Sequence, residues 1–287
     1  MNTRFALRTL AEARRGALLP GAFNAMSARV VEDLGFEALY ITGAGVTNMQ
    51  LGLPDMAFVG LAEIAEATSR IRDAVELPLL VDADTGFGNA LNVRHTVRTL
   101  ERAGADGIQL EDQVSSKRCG HFDGKDVIGT AEMVGKIKAA VDARQDADLV
   151  VMARTDARAV HGFSAAIDRA HAYAEAGADI LFVEACTSAD EIRVLPRDLP
   201  QRPLLMNMVI GGKTPIVPAD ELATLGYGLV LYANAALQGA LLGMQRALAT
   251  LKETRQLTEA SGLVASFKER QRIVRMPQMD ELAKRFG

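Results

Sequence analysis

The most chemically loaded stretch of the chain is Asp82-Ala-Asp84-Thr-Gly-Phe-Gly88, in which two carboxylates two residues apart follow the apolar run Leu79-Leu-Val. Alternate residues of an extended strand face the same side, so Asp82 and Asp84 are expected to point together. Glu111-Asp112 ends a second apolar run, and Arg154-Thr-Asp156, Glu184 and Asn207 end three more. If those runs are neighbouring parallel strands, Asp82, Asp84 and Glu111 crowd one rim. Crowded carboxylates repel unless a cation neutralises them, and hard oxygen donors suit Mg2+, or Mn2+, over Zn2+. Zinc would ask for closely spaced His or Cys, and His95, His121, His161 and His171 offer no such pair. Helix capping or arginine pairing is the plainer role for any one of these acids, and their recurrence at three strand ends argues for the ion. A planar guanidinium at Arg154 suits a substrate carboxylate; a salt bridge to Glu184 or Asp156 is its structural alternative, and both can hold at once.

Gln113 to Lys125 is longer than a strand-to-helix connection needs, which about 2–6 residues usually satisfy, and long loops at a catalytic mouth tend to act as lids. Within it, Cys119 is flanked by Lys117, Arg118 and His121, a cationic setting that lowers a thiol pKa and readies it for proton transfer or attack. Gly120 and Gly124 let such a loop fold over a ligand. Cys186 follows an apolar run among small residues and reads as a packed thiol, while His95, His161 and His171 have no evident partner. Two stretches imitate phosphate loops without completing them. Gly86 and Gly88 lack a following Lys-Ser/Thr, and Gly211-Gly-Lys-Thr214 lacks the leading glycine because position 207 is Asn.

The elements that must position these groups announce themselves by repetition. Four times, at Gly35, Gly104, Gly177 and Gly226, a glycine ends a helical pattern and a short apolar strand follows at once. Strands are expected near 17–21, 38–42, 79–83, 107–111, 149–154, 180–184, 203–207 and 228–232, and helices near 24–34, 60–75, 89–103, 130–144, 163–176, 188–195, 218–225 and 234–253. This alternation predicts an α/β chain whose parallel strands close into a (β/α)8 TIM barrel, with a doubly wound open sheet as the other topology. With no Ser/Gly- or Pro-rich divider, residues 1–287 are read as one domain. An N-terminal helix near 3–15 and a C-terminal helical tail, 258–287, exceed the barrel. The tail's Phe267, Ile273, Val274, Met276, Met279, Leu282 and Phe286 would leave apolar surface wet, so it is expected to pack on a neighbouring subunit.

Composition narrows the class of function. There are 32 Lys plus Arg against 36 Asp plus Glu, a net charge of −4, which gives no basic footprint for nucleic acid. No apolar run is long enough to span a membrane, and the N-terminus has no signal-like apolar core, so a cytoplasmic location with free thiols is expected.

Taken together, Tyr40-Ile-Thr-Gly-Ala-Gly, Asp82-Ala-Asp-Thr-Gly-Phe-Gly, Glu111-Asp, Lys117-Arg-Cys-Gly-His121, Ala153-Arg-Thr-Asp, Val183-Glu and Asn207-Met-Val-Ile-Gly-Gly-Lys-Thr-Pro resemble the isocitrate lyase and phosphoenolpyruvate mutase superfamily. The resemblance covers nearly the whole chain. The Lys-Arg-Cys-Gly-His motif resembles that of the carbon–carbon lyase branch, which includes isocitrate, 2-methylisocitrate and 2,3-dimethylmalate lyases. It implies a barrel whose last helix is exchanged between subunits, in a homotetramer built as a dimer of helix-swapped dimers. It implies Mg2+ held by Asp82, Asp84 and Glu111, and cleavage of a small-molecule 2-hydroxy dicarboxylate to a 2-oxo acid such as pyruvate plus a second acid. Thr42, Gly43 and Ala44 would bind the 2-hydroxy-carboxylate end, Arg154 would hold oxyanion charge and Tyr40 would receive the hydroxyl proton. Cys119 would protonate the departing enediolate, with His121, Glu184, Gly120, Asn207 and Thr214 shaping the pocket. Thr42 stands where many relatives carry Ser, and Ile210 where lyases of larger acids often place Glu. The distal pocket is thereby more apolar, which favours a 2,3-dimethylmalate-like substrate over 2-methylisocitrate. An oxaloacetate hydrolase or decarboxylase would use the same metal platform; a non-catalytic ligand-binding or scaffold barrel would bind without metal.

Overall fold

The computed structural model describes residues 2–115, 117, 120 and 124–287, so Cys119 and His121 lie outside the described residues. Strands β1 (Ala17–Ala22), β2 (Leu39–Ile41), β3 (Leu79–Asp82), β4 (Gly107–Glu111), β5 (Val150–Thr155), β6 (Ile180–Val183), β7 (Leu204–Asn207) and β8 (Leu229–Tyr232) pair in chain order, all parallel, and β8 returns to β1. The expected barrel is formed. Helices α1 (Thr3–Glu12), α2 (Ala25–Asp33), α3 (Gly43–Leu51), α4 (Leu61–Arg72), α5 (Ala90–Arg102), α6 (Thr130–Ala143), α7 (Ala157–His161), α8 (Phe163–Glu175), α9 (Ala189–Asp198), α10 (Ala219–Leu225) and α11 (Ala235–Thr254) follow, then α12 (Phe267–Ile273) and α13 (Met276–Phe286). The four repeated glycines all have positive φ, at 79°, 102°, 105° and 100°, so each lets its helix stop and the chain turn into the next strand.

The apolar strand runs are buried on both faces, as a barrel wrapped in helices requires. One core lies between sheet and helices. A second fills the barrel with Leu19, Tyr40, Leu80, Met152, Phe182, Leu205 and Leu231, and is closed below by Leu7, Leu10 and Ala11 of α1. Helix α1 therefore plugs the N-terminal mouth and leaves the C-terminal mouth for chemistry.

Two departures from the expected elements matter. Helix α3 is new: Thr42 caps it by accepting from Gly45 N at 3.2 Å, and Gly52 ends it with φ 65°. Two glycines and no apolar period hid it, and burial of Val46 and Thr47 supplies what propensity lacks. Helix α11 is present where expected, yet none of its residues is buried, and Leu241 and Leu248 are 51% and 62% exposed. The tail keeps one hold on its own barrel, since Arg272 and Arg275 pair with Asp33 and Glu32 of α2, whereas α13 buries nothing.

Gly21 shows how tightly the β1–β8 seam closes, because a Cβ there would overlap the Ala233 backbone carbonyl. Backbone cannot yield as a side chain can, so Gly21→Ala is expected to destabilise the fold by about 1–3 kcal/mol or more, read as a lowered urea midpoint. An unchanged midpoint would show that the seam is not close-packed.

Candidate active site

Strand register decides which side chains meet. Within the barrel, interior positions alternate, so one step of two residues beyond each interior apolar residue reaches the C-terminal rim: Leu80 to Asp82, Met152 to Arg154, Phe182 to Glu184 and Leu205 to Asn207. Glu111 lies opposite Arg154 across β4–β5, Asp82 opposite Gln109 across β3–β4, and Arg154 opposite Phe182 across β5–β6.

Arg154 is the centre of this arrangement. Its Nε donates to Asp156 Oδ2 at 2.9 Å and its Nη2 to Asp156 Oδ1 at 3.1 Å. Glu111 Oε2 lies 3.2 Å from Nη1 and Glu184 Oε2 3.5 Å from Nη2, while the guanidinium carbon stands 5.3 Å over the Phe182 ring. Burial alone would lower the guanidinium pKa, but the charges of Asp156, Glu111 and Glu184 hold it well above its usual value. The salt bridge to Asp156 considered from sequence is therefore formed, and Arg154 still lines the cavity.

Across the cavity, Tyr40 OH donates to Gln109 Oε1 at 2.9 Å, and Gln109 Nε2 donates to Asp82 Oδ1 at 3.1 Å. Burial, reinforced by the Asp82 charge, pushes the Tyr40 phenol far up, so it stands protonated. Its proton is committed to Gln109, and its oxygen lone pairs remain for an incoming hydroxyl. Asn207 Nδ2 donates to Glu184 Oε2 at 3.1 Å, which fixes both on the same wall. The inner cavity, about 50 Å3, is walled by these groups together with Thr42, Ala44, Gly120 and Asn234. It opens beside a wider cavity of about 580 Å3 lined by Asn48, Pro54, Val209, Ile210 and Lys213. Thr214 is buried but is not among the walls of either.

Of the three carboxylates expected to hold a cation, two stand side by side and the third is drawn toward Arg154. Asp82 and Asp84 do converge: a Cβ on Gly43 would lie 3.2 Å from Asp82 Oδ2 and 3.6 Å from Asp84 Oδ1. They do so through a turn, since β3 ends at Asp82 and Asp84 takes φ 47°, with its N–H donating to Asp82 Oδ1 at 3.1 Å. Glu111 is drawn to Arg154 instead, and among the described residues no three His, Cys, Asp or Glu side chains are placed to share one ion. Lys117, expected to lend positive charge to the loop thiol, is held between Asp84 at 2.8 Å and Asp55 at 2.6 Å. Burial alone would lower the Lys117 ammonium, but the surrounding acids hold it well above its usual value. The donor chemistry nevertheless fits a hard divalent cation. Two carboxylates face one point, Glu111 Oε1 accepts no hydrogen bond among the described residues, and burial pushes the Glu111 carboxyl well up and Asp84 up to about 7.

Sequence reasoning missed Asp55, Gln109, Asn234 and Lys125 as contributors. Gln109 was discoverable as the interior residue two before Glu111, whereas Asp55 and Asn234 sit in irregular segments that carry no periodic signal. Two other expectations are settled. Cys186 is a buried thiol pushed up to about 12 by burial, and His171 does have a partner, Gln201, at 2.8 Å.

A parallel barrel whose C-terminal mouth gathers acids, a clamped guanidinium and a helix N-terminus belongs to the barrel enzymes that handle small anionic molecules. The phosphoenolpyruvate phosphomutase family model matches residues 7–252, and the chain belongs to the PEP mutase/isocitrate lyase superfamily. It is 45% identical over 237 residues to the 2,3-dimethylmalate lyase of Eubacterium barkeri, covering 83% of this chain and 82% of that one. It is 50% identical over 226 residues to the 2-methylisocitrate lyase of Aeropyrum pernix, covering 79% and 72%. Among solved structures, 2,3-dimethylmalate lyase superposes with a TM-score of 0.93 at 34% identity, covering 99% and 96%. Oxaloacetate acetylhydrolase bound to 3,3-difluorooxalacetate gives 0.92 at 30% identity, covering 99% and 97%. Phosphonopyruvate hydrolase with oxalate and Mg++ gives 0.88 at 30% identity, covering 100% and 99%.

The raised Asp84 pKa has a definite sign. Between its unfolded value of 3.8 and about 7 the folded protein binds the extra proton, so stability falls as pH rises through that window. A cation that binds ionised Asp84 reverses the loss. Millimolar Mg2+ is therefore expected to raise the melting temperature more at about pH 8 than at about pH 5.5. Differential scanning fluorimetry checks this, and an equal gain at both pH values would remove Asp84 from the ion's ligands.

Proposed function

We propose that this protein is a carbon–carbon lyase that cleaves a small 2-hydroxy dicarboxylate, 2,3-dimethylmalate-like, to a 2-oxo acid such as pyruvate and a second carboxylic acid. The observation that carries the reading is one cavity in which Arg154, Asn207 and the N-terminal end of α3 face Tyr40 and Asp82. The reading is supported by the two lyases named above, each at least 45% identical to this chain.

The 2-hydroxy-carboxylate end sits against the α3 N-terminus, where Thr42 and Ala44 line the wall and the positive end of the helix favours an anion, although Gly43 and Gly45 N–H already donate to Asp82 and Thr42. Asp82, Asp84 and Glu111 are the residues that would hold Mg2+, which supplies positive charge to polarise the substrate hydroxyl. Tyr40, with its own proton given to Gln109, accepts the hydroxyl's hydrogen bond and orients it, and the Asp82 carboxylate on the same cavity wall is the base that takes the hydroxyl proton as the carbon–carbon bond breaks. Arg154 holds the oxyanion charge of the departing enediolate, kept in place by Asp156 and by stacking over Phe182. Phe182, Val209 and Leu231 keep that charge away from bulk water. The roles of Cys119 as the acid that protonates the enediolate carbon, and of His121 beside it, rest on the Lys-Arg-Cys-Gly-His motif. A reduced thiol of that kind suits a cytoplasmic setting. No helix among the described residues is long and apolar enough to cross a membrane.

Ile210, 51% exposed on the wider cavity, favours a methyl-bearing distal end over a carboxylate. The second reading, 2-methylisocitrate as substrate, draws on the Lys213 charge lining the same cavity. A coupled 2-oxo-acid assay with Mg2+ over malate and citrate derivatives is expected to show turnover of 2,3-dimethylmalate above 2-methylisocitrate. Cys119→Ser should lower the rate by about 10²–10⁴-fold. Oxalate plus acetate from oxaloacetate, with no 2-oxo acid from any hydroxy acid, would replace the lyase by a hydrolase.

The unburied α11 supports a subunit exchange. Its apolar side, and a groove of about 540 Å3 lined by Phe23, Met26, Val30, Val31 and Leu34, are the two halves of an interface between copies, arranged as a dimer of helix-swapped dimers. Sedimentation should give a tetramer, and Leu248→Glu should yield smaller species; a monomeric wild type would refute the exchange.

A further inference from the structure

We propose that Lys125 is a positioning residue for Arg154, acting through the carboxylate they share. The Lys125 side chain is 2% exposed, and its Nζ donates to Asp156 Oδ1 at 2.9 Å and to the Gly120 carbonyl. Asp156 Oδ1 is the same oxygen that receives Arg154 Nη2, and Asp156 Oδ2 receives Arg154 Nε. The carboxylate cannot drift, because its own N–H donates to Asp112 Oδ1 at 2.9 Å and the wholly buried Asp112 also accepts from Thr155, Arg169 and Tyr173. Lys125 thus joins Gly120 to a rigid point on the barrel wall.

Two consequences reach Arg154. A Cβ on Gly120 would collide with Arg154 Nη2 and with the Glu184 side chain, so the backbone that Lys125 holds presses directly on the guanidinium and limits where it can swing. The charge balance matters as well. Arg154 faces Glu111, Asp156 and Glu184, and a guanidinium so compensated has little field left for an incoming oxyanion. By sharing Asp156, Lys125 returns part of that field to the cavity. A lysine that merely neutralised buried Asp156 would affect stability without acting through Arg154.

The inference rests on reading Arg154 as the partner of the substrate oxyanion, and the test separates the two. In the full-length enzyme, Lys125→Met is expected to lower kcat by about tenfold or more with KM within about threefold, and Lys125→Arg to restore most of the loss. In an Arg154→Lys background, the further loss from Lys125→Met should shrink to less than about twofold. Equal fold losses in the two backgrounds would overturn the proposal. Amide exchange of peptides containing Gly120 and Gly124 should quicken in Lys125→Met while α6 is unchanged, and unaltered exchange there would also overturn it. Should the wild type release no 2-oxo acid while exchange still quickens, the lyase reading falls and the tether stands. If Lys125→Met does not fold, Lys125→Gln, which keeps a donor for the Gly120 carbonyl and loses the charge, carries the same comparisons.

Discussion

The chemistry of this protein depends on keeping like charges together in a place that excludes water. At the C-terminal mouth, Asp55, Asp82, Asp84, Glu111, Asp156 and Glu184 gather around Lys117, Lys125 and Arg154, six carboxylates against three cations among the described residues. Proton uptake by Asp84 and Glu111, whose pKa values are raised chiefly by burial, is one way to relieve the excess. A divalent cation is the other. A site intended for a dianionic substrate cannot work on protons alone, because each substrate carboxylate would add to the same repulsion. The excess negative charge is therefore a stronger argument for a bound cation than any count of ligands.

The fold makes that crowding affordable by putting its cost where packing is strongest. Helix α1 seals the lower mouth, the barrel interior is apolar up to the level of Leu80, Met152, Phe182 and Leu205, and polar groups begin only one alternation higher. Asp112 shows how the rim is braced: all four of its hydrogen-bond donors come from β5, α8 and the start of the turn after β5, so the segment bearing Arg154 and Asp156 is fixed from behind. Burial raises the Asp112 pKa, and the donors around it pull the other way. Catalytic residues on such braced strand ends lose little freedom when substrate arrives.

Much of this was legible in the residues themselves. The four glycines at helix ends carried positive φ as their spacing implied, and the strand runs marked the rim positions of Asp82, Glu111, Arg154, Glu184 and Asn207 within a residue or two. Long-range charge pairing was not legible. Nothing local to Lys117 says that it will insert between Asp84 and Asp55, which is 62 residues away in the chain. Nor does Lys125 advertise that it shares an oxygen with Arg154. Helix α3 escaped for a different reason, because its stability comes from a cap and from burial against the barrel, both tertiary effects.

The choice between a lyase and a hydrolase turns on whether water adds to an electrophilic carbon before the carbon–carbon bond breaks, because either route leaves an enediolate that must then be protonated. On the proposed reading, a bound cation, the α3 N-terminus and Arg154 would stabilise an enediolate equally well for either outcome, so they do not decide between them. What decides is the room for a water molecule beside that carbon before cleavage. The inner cavity is small, and Phe182, Val209 and Leu231 give water few partners in it. Gly120, seated against Arg154 and Glu184, narrows the same space. On the proposed reading, so narrow a site favours a substrate that already carries its hydroxyl over one that must first add water, which is the condition a lyase requires.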